Sequence, residues 1–177
     1  TKLSSGYWRI FDPTNGFTAI HREAATRLEL GEVSDRYFFE SDMLINLGGI
    51  SAVVEDIPMR AVYGEENSNL RISRVIFHFF WKHLRMTFSR LIYSYFLRDF
   101  SIASLYLIFG IFLLLFGLVF GVSEWMESQR SGVTATTGTV MIAVLPIVIG
   151  FQMLIGFFAY DIGNSPQTPL QNIRRHD

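Results

Sequence analysis

The sequence predicts a mixed α/β unit, then a helix lying along a membrane surface, then two membrane-spanning helices. Three observations lead there. Residues 105–122 and 140–160 form two long, almost wholly apolar stretches. A basic, aromatic-rich segment, residues 71–100, runs into the first of them. Ahead of Arg71 the chain mixes short helical patterns, turn residues and a β-branched run.

In chain order, Tyr7 and Trp8 close a polar approach, and Asp12-Pro13-Thr14-Asn15-Gly16-Phe17 follows. Proline fixes φ, glycine permits positive φ, and Asp and Asn side chains bond to nearby backbone, so this is a tight turn. It serves either as a turn alone or as a turn presenting Asp12 and Asn15 to a ligand; sequence physics leaves both open. Residues 21–30 read as a short helix with Ala24, Ala25 and Leu28 on one side and Gly31 as its stop. A second helix is expected from about Glu40 to the Gly48-Gly49 pair. Within it Glu40 and Asp42 diverge by about 200°, so only one of them can face a given centre. Either acid is also at home in a helix first turn, where the dipole favours negative charge. Residues 50–55 (ISAVVE) read as a strand by their β-branched content, with Pro58 interrupting and residues 59–63 as a second extended piece. A polar loop, residues 64–70, completes the unit.

The lead-in segment places Arg71, Arg74, His78, Lys82, Arg85 and Ser89 at spacings of three and four, one stripe of a helix. Ile72, Val75, Ile76, Phe79, Phe80 and Met86 fall mostly elsewhere around it. A cationic stripe with a bulky apolar face suits the headgroup boundary of anionic lipid.

A bilayer crossing needs about 20 apolar residues. The first run contains no charged residue, and the second has Gln152 as its strong polar group with Pro146 inside. A soluble helix of that length would keep a polar face; neither run has one. Arg71, Arg74, Lys82, Arg85, Arg90 and Arg98 precede the first span, and Arg174 and Arg175 follow the second. The intervening residues 123–139 hold Glu124, Glu127 and one arginine, Arg130. Lysine and arginine mark the cytoplasmic side. The expectation is a multi-pass protein of the inner (plasma) membrane with both termini cytoplasmic.

The 177 residues carry a net charge of −1 with acids gathered early and bases after Arg71, and the chain holds no cysteine, which excludes disulfides and thiolate metal sites. His78 and His83 are off one helical face, so they make no metal pair. There is no phosphate-cradling glycine loop, no Gly-x-Ser-x-Gly and no Asp-x-Asp. No nucleic-acid partner is expected. Small residues in the second span, Gly150 and Gly156, permit helix contacts and a homo-oligomer. The chain opens on Thr1 and is expected to be part of a longer protein.

DPTNGF, YFFESDML and VEDIPMRAVYGEENSNLRI, followed by two apolar helices, resemble the C-terminal part of a membrane-bound family-2 glycosyltransferase. The nearest subgroup is that of polyprenyl-phosphate (dolichyl- or undecaprenyl-phosphate) sugar transferases. The resemblance spans essentially the whole chain and implies a partial GT-A-like α/β domain over residues 1–70. An interfacial amphipathic region, residues 71–100, a two-helix anchor, residues 101–163, and a cytoplasmic tail, residues 164–177, would follow. It also implies a nucleotide-sugar donor, a polyprenyl-phosphate acceptor, and a divalent cation (Mg or Mn) held by an Asp-x-Asp that this chain lacks. The fragment alone would then be inactive.

Carried over residue by residue, Asp12, Asn15, Gly16 and Phe17 match an Asp-x-x-x-Gly-Phe turn lining the active site. Phe39, Glu40, Asp42 and Met43 match an aromatic-acid segment whose later acid, Asp42, lies near the acceptor. Gly64, Glu65, Ser68 and Leu70 resemble a Gly-Glu-Ser-Lys-Leu acceptor loop, here with two residues inserted and Asn69 where lysine is usual. Arg60, Arg71 and Arg74 flank that loop and suit bidentate phosphate contacts; Arg74 equally suits the binding of bulk anionic lipid, whereas Arg71 is read as an acceptor contact. The resemblance therefore names Asp42, Glu40 and Asp12 as catalytic and Asn15, Gly16, Arg60, Ser68, Arg71 and Arg74 as acceptor-binding. It names no metal ligand. A lipid-linked glycan with a hydroxyl acceptor is one rival; a non-catalytic two-pass adaptor is another. Processive synthases carry a Gln-x-x-Arg-Trp segment, which is absent.

Overall fold

The computed structural model describes residues 1–28, 33–34, 38–59 and 72–173, and divides into two compact units. The first comprises Thr1–Ser94 and Asn164–Asp177, the second Tyr95–Gly163.

In the first unit the described elements are α1 (Lys2–Ser5), α2 (Arg22–Arg27), α3 (Phe39–Gly49), α4 (Ile72–Ile92) and α7 (Leu170–Ile173). In the second unit α5 (Ile102–Ser131) and α6 (Thr137–Gly163) form an antiparallel pair. A π-helical turn, Tyr93–Arg98, continues directly from α4.

No β-strand occurs among the described residues, so the expected GT-A-like α/β architecture is not what this chain folds into. The ISAVVE run shows why. Residues 52–59 carry strand-like composition, yet among the described residues no ladder forms on them. A strand is stabilised by its cross-strand partners more than by its own propensity. Instead Ala52 is buried, and its carbonyl accepts a 2.5 Å hydrogen bond from the Tyr7 hydroxyl. Ser51 turns the chain out of α3 with a positive φ of 54°. Residue 59 is the last described part of the second extended piece.

The unit's core gathers Tyr7, Ile10, Leu28, Val33, Met43, Leu47, Ala52 and Leu170. Helix α2 is shorter than its sequence pattern suggests. His21 caps it by accepting from the Glu23 N–H, and Leu28 leaves the helix in extended conformation to enter the core. Helix α3 ends at the Gly48-Gly49 pair, as its sequence pattern suggests. A Cβ on Gly48 would collide with the Ser5 carbonyl oxygen, so the glycine lets α1 lie directly on α3. Leu170 brings the chain after α6 back into this same core.

Helix α4 is amphipathic in an unexpected sense. Phe79, Lys82, His83 and Arg90 are partly buried against α1 and α3, while Phe77, Trp81, Leu84 and Phe88 form an exposed stripe at spacings of four, three and four. The cationic stripe expected to face headgroups is thus broken at Lys82, which turns inward.

In the second unit, α5 and α6 are long and apolar enough to cross a membrane. Their apolar side chains are largely exposed, as in Phe112, Leu115, Val119, Val148 and Phe151, whereas a soluble core helix would bury them. Helix α5 runs on through the polar residues 123–131, so the connection expected over 123–139 shrinks to five residues. At about 1.5 Å per residue it spans roughly 45 Å, longer than the hydrocarbon core. Gly132, with φ +69°, ends it. The pair packs through Gly110, Gly117 and Gly150, all buried. At the open end the Tyr95 hydroxyl donates to buried Asp161 at 2.5 Å, Phe157 packs edge-on to Tyr95, and Ser104 donates to the Tyr95 carbonyl.

Candidate functional site

The DPTNGF turn forms as its residue types require. Asp12 Oδ1 accepts from the N–H (3.1 Å) and hydroxyl (2.9 Å) of Thr14, and Asn15 Oδ1 accepts from Phe17 N–H at 2.9 Å. Self-bonding of this kind rigidifies the loop without a long-range partner. The turn borders an open cleft of about 580 Å³. Asp12, Asn15 and Phe17 line one side; Phe39, Glu40 and Met43 of α3 line another.

Glu40 lies in the first turn of α3, and its Oε1 reaches to within 3.9 Å of where a Cβ on Gly16 would stand. The FFESDML helix and the DPTNGF turn, separated in sequence, therefore meet at one cleft. Among the described residues no group pairs with the Glu40 carboxylate. The described lining also holds Glu55 and Asp56 but no lysine or arginine. Asp56 is occupied in part, accepting from the Phe11 N–H at 2.7 Å.

Asp42 faces the other way, as the helical angle requires. It is 2 % exposed, and its Oδ2 accepts from the N–H (3.0 Å) and hydroxyl (2.7 Å) of Ser34. Lys82 of α4 approaches the same oxygen at 3.4 Å, donates to the Ser34 hydroxyl, and sits 4.2 Å from the Phe38 ring centroid. The expectation put the acceptor-side acid at Asp42; in the structure Asp42 does not line the cleft and Glu40 does.

Arg60, Ser68 and Arg71, with Gly64, Glu65, Asn69 and Leu70 of the acceptor loop, lie outside the described residues. Arg74 is placed on α4 by its backbone alone. Among the described residues no three His, Asp or Glu side chains converge as a metal site.

Two contributions were not foreseen from sequence. Pro169, Leu170 and Gln171, from beyond the second apolar helix, line the cleft. Lys82 engages Asp42. The second had a signal: Phe77, Trp81, Leu84 and Phe88 define an apolar stripe, and Lys82 lies roughly opposite its centre.

Three titrations are displaced among the described residues of this unit. Burial lowers the pKa of the Thr1 amino group. His83 Nδ1 bonds with the Ser4 hydroxyl at 2.9 Å, and its pKa falls to about 4, first through burial, then through the positive charges of the Thr1 amino group and Lys82. Burial alone raises that of Tyr7.

Comparison with family models, curated proteins and solved structures returns no match to this chain.

Proposed function

We propose that this chain is the acceptor-side and anchoring part of a membrane glycosyltransferase. It would move a sugar from a nucleotide-sugar to polyprenyl phosphate at the cytoplasmic face. One observation carries the reading. The two segments that resemble a sugar transferase's acceptor side converge on one cleft, with Asp12, Asn15 and Glu40 on its walls. Carboxylates and a carboxamide bind sugar hydroxyls, and the Phe17 and Phe39 rings offer apolar surface. A carboxylate that stays ionised also stabilises positive charge developing on the transferred sugar.

Lipid phosphate would be met elsewhere. The described lining is acidic, so the cations for it fall to Arg60, Arg71 and Arg74. The exposed aromatic stripe on α4 and the two apolar helices support a bilayer-bound acceptor. Packing of Leu170 into the first unit supports placing both ends of the apolar hairpin on one side of the bilayer. The donor site and its divalent cation belong to residues outside this chain.

A hydroxyl acceptor is the second reading, favoured by Glu40, a carboxylate facing the open cleft. A hydroxyl needs a general base, worth about 10²–10⁴-fold, whereas a phosphate monoester, with a second pKa of about 6, does not.

The test uses the full-length protein in membranes, given polyprenyl phosphate and radiolabelled nucleotide-sugars. Extractable labelled lipid, lost on Arg71→Ala, is the expected result. Label that needs an added lipid-linked glycan, with Glu40→Gln at least about a hundredfold slower, selects the hydroxyl acceptor. Folded protein that transfers nothing from any common donor overturns both and leaves the adaptor reading.

A further inference from the structure

We propose that Lys82 and Asp42 form a latch through which the aromatic helix α4 sets the place of Glu40 in the cleft. The role assigned to Glu40 rests on the sugar-transfer reading above. The latch itself rests on geometry.

Three features converge on the start of α3. Asp42 is buried, and every described donor to its side chain reaches the same oxygen: the Ser34 N–H, the Ser34 hydroxyl and the Lys82 ammonium. Phe38, the residue just before α3, is held by α4 on several sides. Its ring packs edge-on to Phe79 at 5.1 Å, tilted against His83 at 4.8 Å, and beneath the Lys82 ammonium. Glu40 lies midway between Phe38 and Asp42. Any slide or rotation of α4 that carries Phe38 and Asp42 with it therefore carries the Glu40 carboxylate too.

The arrangement also explains why this lysine is turned inward. The outward face of α4 is aromatic, and the ammonium is committed to a buried carboxylate rather than to solvent or headgroups. Asp42 is then a positioning residue. It touches the cleft only through the helix it anchors.

Removing both charges separates positioning from catalysis. A buried carboxylate left without its cation is strongly destabilising, whereas replacing both members of a buried pair with neutral groups is often close to neutral. The assay is sugar transfer by the full-length protein in membranes, comparing Lys82→Met, Asp42→Asn, the double variant and Lys82→Arg. Lys82→Met is expected to lower kcat by about tenfold with acceptor KM within about twofold, because the unpaired carboxylate displaces α3. The double variant is expected to recover to within about threefold of the parent, as is the charge-keeping Lys82→Arg. A double variant as inactive as Asp42→Asn would mean that Asp42 touches substrate, and would overturn the proposal.

Hydrogen exchange of the α3 amides supplies a readout without substrate. Faster exchange in Lys82→Met, restored in the double variant, supports the latch even where the parent transfers no sugar, an outcome that would sink only the transfer reading. Unchanged α3 exchange in Lys82→Met overturns the latch whatever the activity.

Discussion

Gly150 is one of the positions where the apolar hairpin leaves no room for a side chain, as is Gly117, whose added Cβ would stand 2.7 Å from the Ala143 carbonyl oxygen. A Cβ built on Gly150 would stand 2.8 Å from the Gly110 carbonyl oxygen and 2.8 Å from the Leu114 nitrogen, about 0.6 Å inside ordinary contact at 3.4 Å. Both obstacles are backbone, so no rotamer relieves them, and α5 and α6 must separate. Overpacking of this kind costs about 1–3 kcal/mol. Alanine returns roughly 1 kcal/mol of helix propensity, so Gly150→Ala tests which effect is larger. Gly163→Ala supplies the control, having no described heavy atom within 4 Å of its added Cβ. Gly110→Ala is intermediate: its Cβ lies 2.9 Å from the movable Leu154 Cδ2 and 3.2 Å from the Gly150 oxygen. The assay is unfolding of the hairpin by SDS titration in mixed micelles, followed by circular dichroism. We expect Gly150→Ala to be least stable, about 2 kcal/mol below Gly163→Ala, with Gly110→Ala between them. Equal midpoints for Gly150→Ala and Gly163→Ala would refute the close glycine contact, and with it the packing of the pair.

His83 predicts an acid-sensitive first unit. Its folded pKa lies near 4, below the ordinary 6.5 of the unfolded chain. Its contribution is therefore full above pH 6.5 and is lost as pH falls from 6.5 towards 4. The ring is only half-buried, so solvent screening leaves roughly 1 kcal/mol. Denaturation midpoints at pH 7.5 and 5 should differ in the parent and converge in His83→Gln; the same pH slope in both would exclude His83 as the source. Tyr7→Phe leaves the buried Ala52 carbonyl without its 2.5 Å donor and should cost about 1–2 kcal/mol in thermal unfolding of the first unit. A midpoint unchanged within error would show that the bond contributes no net stability.

How much of the site was legible depends on how local its physics is. The Asp12–Phe17 turn needed only its own side chains, and it forms as read. Helix α3 was legible, along with the opposed directions of Glu40 and Asp42, because the helical angle fixes them. Which of the two acids lines the cleft was not. It follows from Lys82 and Ser34 closing over one face of α3 while the DPTNGF turn borders the other, contacts made across separations of 40 and 8 residues. The α/β expectation failed for the matching reason. Residues 50–55 have strand composition, but a strand exists only where a partner lies beside it, and composition carries no record of the partner.

The sequence by itself determined the two apolar helices and the tight turn, because hydrocarbon length, unbroken apolarity and self-bonding side chains are properties of contiguous residues. Tertiary structure alone decided which face of α4 is exposed, which acid lines the cleft, and that the chain beyond α6 returns to the core through Leu170. Each of those depends on groups far apart in sequence competing for one buried place.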